Sequence, residues 1–101
     1  MNLTTVKEIK LKDGTVIPEK YNGNVHFDDH LCYFDYNGHE VKLKNTNLHR
    51  YFYEVTPYPD VEQLEEWVND GICETVLGNP TEPDGHDEHG APSWLLALGM
   101  I

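Results

Sequence analysis

Leu31-Cys32-Tyr33-Phe34-Asp35-Tyr36-Asn37-Gly38-His39-Glu40-Val41-Lys42-Leu43-Lys44 is the stretch on which the fold turns. Two β-prone runs flank Asn37-Gly38, a pair that accepts positive φ and so favours the tightest hairpin turns. In the returning run Val41 and Leu43 share one face while Lys42 and Lys44 share the other, as a half-buried strand requires.

Working upstream, Asp13-Gly14 separates Ile9-Lys10-Leu11 from Thr15-Val16-Ile17 and predicts a second hairpin, which Pro18 ends or confines to an edge. Asn22-Gly23 marks a further turn, and Asn24-Val25-His26-Phe27 fits a short strand before Asp28-Asp29. Downstream, Asn45-Thr46-Asn47 reads as a loop, and the aromatic run Arg50-Tyr51-Phe52-Tyr53-Glu54-Val55 as one more strand. Residues 1–55 are therefore expected to form an antiparallel meander or half-barrel of about five or six strands.

The pattern changes after Pro57-Tyr58-Pro59. Asp60 is placed as an N-cap with Gln63 three residues on, and Gly71 as the stop. Between them Val61, Leu64, Trp67 and Val68 gather on one side of a helix over 60–70, with Glu62, Glu65 and Glu66 on the others. Residues 72–77 continue this connecting segment, as a strand or further helix. Residues 78–91 are a polar Gly/Pro loop, long for a compact domain. Pro92 to Leu98 reads as a short helix in an apolar tail that runs to Ile101, with Ser93, the only serine, as its cap. The chain of 101 residues is expected to be one α+β domain, since this length supports a single core.

Charge is distributed unevenly. All seven Lys and Arg lie in the first 50 positions, balanced by seven acids; the remaining 51 positions hold eleven acids and no Lys or Arg, and so the whole net charge of −11. Phosphate backbones bind clustered cations, so direct nucleic-acid binding is not expected. No apolar run is long enough to span a bilayer, and Met1-Asn2-Leu3-Thr4-Thr5 lacks a secretory pattern. Cys32 and Cys73 sit among apolar neighbours and read as free buried thiols of a soluble cytoplasmic protein.

Three groups of residues are candidates for function. The first is the acidic set: Glu62, Glu65, Glu66 and Asp70 on the helix, with Glu82, Asp84, Asp87 and Glu88 in the loop. Such a set either keeps a protein in solution or meets a basic surface on another protein. The second is His86 and His89, which Asp84 or Asp87 could complete as a site for a divalent transition metal; solvated, titrating histidines are the plainer reading. The third is the tail, where Trp94, Leu95, Leu98 and Ile101 must bury either against the chain itself or in a neighbouring copy, making a homo-oligomer. The aromatics around Tyr33 and Phe52 read as core.

No Gly-rich phosphate loop, Cys-x-x-Cys or Gly-x-Ser-x-Gly occurs. The leading expectation is a non-enzymatic interaction protein without a cofactor, binding a basic protein surface such as that of a nucleic-acid enzyme. In size and charge, though not in motif, it is like small acidic proteins that phages and mobile elements encode.

Overall fold

A computed structural model describes residues 1–101. In chain order its strands are β1 (Asn2–Thr4), β2 (Ile9–Lys10), β3 (Val16–Ile17), β4 (Asn22–Asn24), β5 (His26–Phe27), β6 (Leu31–Tyr36), β7 (His39–Lys44), β8 (Cys73–Glu74) and β9 (Pro80–Thr81). Its helices are α1 (Leu48–Tyr51), α2 (Val61–Asp70) and α3 (Trp94–Ala97), with a 3-10 turn at Asn45–Asn47. The class is α+β, with every strand pairing antiparallel.

The central hairpin forms in the expected register, with Phe34 opposite Val41 and Cys32 opposite Leu43. Asn37 and Gly38 both take positive φ, 49° and 81°, which lets the two-residue turn match the strand twist. Cys32, Phe34 and Val41 are buried on one face; Asp35, Glu40 and Lys42 are exposed on the other. Burying a ring such as that of Phe34 contributes roughly 1.5–3 kcal/mol.

The strands do not run on as one sheet. They divide into β1–β4, β2–β3, β5–β6–β7 and β8–β9, and no barrel closes. The β2–β3 hairpin is inserted between β1 and β4, so β1 reaches past it to pair Leu3 with Gly23. That position admits no larger residue comfortably: a Cβ on Gly23 would stand 3.2 Å from Phe34 Cδ2. A meander of neighbours gives way because strands of two or three residues cannot bury a continuous face.

The aromatic run 50–55 is the clearest departure from expectation. It is the end of a helix, not a strand: α1 spans Leu48–Tyr51, and Phe52 N–H donates to Leu48 O at 3.0 Å. Leu48 and Phe52, four apart, are both buried, so the helical period overrides the β-propensity of the aromatics. Only Phe52 makes a β-bridge, to Thr5. Its ring meets Phe34 edge-on at 5.9 Å.

One hydrophobic cluster draws on both halves, from Leu3, Ile9 and Ile17 to Val76, Trp94 and Leu95. The two cysteines are buried and unbonded, and burial pushes the Cys32 thiol up to about 12. The molecule is elongated, 43 × 22 × 20 Å. No helix is long and apolar enough to cross a membrane.

Candidate functional site

The acidic helix is set by its ends. Asp60 Oδ1 accepts from Gln63 N–H at 2.8 Å, and Gly71 closes the last turn at φ 70°. Leu64 is buried and Trp67 half-buried, and these two, three residues apart, are the line of contact with the protein. Val61 and Val68, expected on the core face, are 69% and 52% exposed. The helix has rolled so that one pair of its four apolar residues packs and the other faces outward. Glu62, Glu65, Glu66 and Asp70 are all exposed, and the only side-chain contact among them is Gln63 Nε2 to Glu66 Oε2 at 3.5 Å.

The loop acids divide. Glu82, Asp84 and Glu88 are exposed. Asp87 instead organises the loop. Its Oδ2 accepts from Thr75 Oγ1 and Asn79 Nδ2, each at 2.9 Å; its Oδ1 accepts from the backbone N–H groups of His89 at 2.9 Å and Ala91 at 3.1 Å. Burial by itself would raise this carboxyl; the donors together outweigh it and hold Asp87 below the ordinary carboxylate value. Asp87 is therefore spent within the chain.

The paired strands connect the two acidic stretches. Cys73 pairs with Thr81 and Glu74 with Pro80. Two residues separate the end of α2 at Asp70 from β8, and β9 ends one residue before Glu82.

The histidines go to different partners. His86 Nε2 lies 2.5 Å from Asp29 Oδ1, a tie to the β5–β6 connection, and His89 Nε2 lies 3.5 Å from Glu88 Oε1. Nowhere do three or more His, Cys, Asp or Glu side chains converge as a metal centre would need, so His86, His89 and Asp84 are not brought together as ligands. The physical reason is that His86 lies in an extended bridge to Pro92 while His89 sits in the tight turn closed by Gly90 N–H on Asp87 O, so the two residues do not share a helical turn.

In the tail, Trp94 and Leu95 are buried in the chain's own core. Trp94 Nε1 donates to Thr56 Oγ1 at 3.0 Å, and its ring meets Tyr58 at 5.3 Å. Ser93 caps α3 by accepting from Leu96 N–H at 3.0 Å and also donates to the Pro83 carbonyl, fastening the loop to the helix. Leu98 is half-buried beside Leu31 and Lys44, and Ile101 is 54% exposed.

Three concavities were not visible in the sequence, one of them, of about 350 Å³, among His30, Leu31, Lys44 and Leu98. A cleft of about 410 Å³ lies among Asn22, Asn24, Tyr21, Asp35 and Glu40 in the β-rich half. A groove of about 310 Å³ lies between the 56–60 segment, α2 and β8, lined by Thr56, Tyr58, Asp60, Trp67, Glu74 and Trp94. Its walls come from residues up to 38 positions apart, such as Thr56 and Trp94, and no local pattern marks such a meeting.

The two halves of the sequence differ in how their charges are paired. The only Lys or Arg within 4.0 Å of a carboxylate is Lys42, 3.5 Å from Glu40 in the first half. None of the eleven acids of the second half has a Lys or Arg partner. Fold and surface together define a small mixed α+β protein of short antiparallel sheets whose acidic second half has no Lys or Arg partner. No known protein family matches the chain, and no curated protein or solved structure is detectably similar to it.

Proposed function

We propose that the chain is a non-enzymatic interaction protein whose acidic second half engages a basic surface on another protein, such as a nucleic-acid enzyme. The observation that carries this reading is the absence of any Lys or Arg partner for the carboxylates of residues 51–101. Exposed like charges repel one another, and a protein that neutralises them lowers that repulsion while the field speeds its approach. Glu62, Glu65, Glu66 and Asp70, with Glu82, Asp84 and Glu88, supply the charge; Asp87 contributes by shaping the loop that carries its neighbours. Some small acidic proteins that phages and mobile elements encode act in this general way, and we place this chain beside them by analogy of size and charge only.

The test begins with affinity capture from the native cell and identification of what is held. Changing Glu62, Glu65 and Glu66 together to Gln should weaken the captured complex by about tenfold or more at low salt, mostly through slower association. Raising ionic strength should weaken the unaltered complex in the same way. Unchanged binding by the triple variant would remove the acidic surface from the account.

A further inference from the structure

We infer that the groove beside α2 receives an arginine side chain of the basic partner, a conclusion that rests on the interaction reading above and assigns its seat. The groove combines two features that suit one cation. Tyr58 and Trp67 offer ring surface, and Asp60 and Glu74 offer carboxylates.

Glu74 is the telling residue. It is half-buried on β8, yet its carboxylate has neither a hydrogen bond nor an ion pair. A carboxylate with no partner of its own gains from one that brings charged donors to it. Asp60 uses Oδ1 to cap α2, which leaves Oδ2 without a partner of its own.

The aromatic wall is pre-organised. Tyr58 is held edge-on between His49 at 5.8 Å and Trp94 at 5.3 Å, and Trp94 has its N–H satisfied by Thr56. These two contacts set the orientation of the Tyr58 ring at the groove. The only cation that the chain places on an aromatic face is Lys7, 5.4 Å from the Tyr51 ring, away from the groove.

The shape of the cation follows from this pairing of rings and acids. A guanidinium is planar, weakly hydrated and able to stack on a ring while its edge donates to carboxylates; an ammonium is a strongly hydrated point. The carboxylates repel anions, and a neutral donor could bond to Glu74 but would leave its charge uncompensated.

The experiment uses the full-length, ¹⁵N-labelled chain titrated at low salt with hexa-arginine, hexa-lysine and hexa-citrulline peptides, read by NMR. The indole N–H signals of Trp67 and Trp94 and the amides of Tyr58 and Glu74 should shift along one saturation curve with hexa-arginine, more weakly with hexa-lysine, and not with hexa-citrulline. Glu74→Gln should weaken the hexa-arginine affinity by about fivefold, the equivalent of roughly 1 kcal/mol, while leaving the spectrum that of the folded chain. Trp67→Leu, which keeps an apolar contact to the core, should weaken it similarly and serves if Glu74→Gln disturbs β8. Hexa-arginine shifts confined to the amides of Glu62, Glu65, Glu66, Asp70, Glu82, Asp84 and Glu88, with the groove signals still, would overturn the groove as the seat but leave the acidic-surface reading standing. No saturable shift anywhere would sink both. Equal affinity for arginine and lysine would overturn the choice of guanidinium.

Discussion

At the residue scale, Asp87 decides more than any other acid in the chain. Four donors from Thr75, Asn79, His89 and Ala91 converge on it, so its loss leaves several polar groups in a half-buried loop without an acceptor. Asp87→Ala should lower stability by about 2–4 kcal/mol in urea denaturation, whereas the exposed Asp84→Ala should stay within about 0.5 kcal/mol. Equal effects of the two would show the network to be idle. The pH dependence has a definite sign. The folded-state value of Asp87 is depressed, so its contribution is complete above the unfolded value and is lost as pH falls through the folded value below 3.8. Wild type should therefore lose stability on acidification below about pH 4 more steeply than Asp87→Ala does. By composition Asp87 and Asp84 look alike, both beside Gly or His in the same polar loop; the turn that brings the His89 and Ala91 N–H groups to Asp87, and the arrival of Thr75 and Asn79, separate them.

At the scale of the element, α2 divides into a part that could be read and a part that could not. Its ends are local: the Asp60 cap and the Gly71 stop involve groups three or four residues apart, and both form as the sequence predicts. Its roll is not local. Four apolar residues cover a broad arc, and the rest of the protein selects Leu64 and Trp67 from them while leaving Val61 and Val68 in solvent. Leu64→Ala should cost about 2–4 kcal/mol, Asp60→Ala about 1 kcal/mol, and Val61→Ser or Val68→Ser under about 0.5 kcal/mol, all by thermal or chemical denaturation. A large cost at Val68 would mean that the helix packs by the opposite face. The same limit explains α1: aromatic β-propensity suggested a strand, but the Leu48–Phe52 spacing carried the helical signal.

At the scale of the whole molecule, the second half is held together by what comes last. Residues 91–95 are buried without interruption, Ser93 bridges Thr75, and Val76 N–H donates to the Pro92 carbonyl at 3.1 Å. The tail is thus part of the core rather than an appendage. A chain ending at Gly90 should lose its cooperative melting transition and its near-ultraviolet circular dichroism, because Trp94 and Leu95 leave a gap that the short sheets cannot close. A truncated chain that still melted cooperatively would contradict that packing. Meanwhile Leu98 and Ile101 remain at or near the surface, where their exchange for Ser should change stability far less.

By itself, the sequence determined the features that depend on near neighbours: the Asn37-Gly38 hairpin, the capped acidic helix, the serine-capped last turn and the segregation of charge into one half. Turn conformation, capping and composition are settled within a few residues, so each could be read directly. Only the tertiary structure decided which strands found partners, which side of α2 turned inward, that Asp87 was structural and that Tyr58, Trp67 and Glu74 meet in one groove. Those outcomes depend on groups distant in sequence competing for the same small core, and no local pattern records the result of that competition.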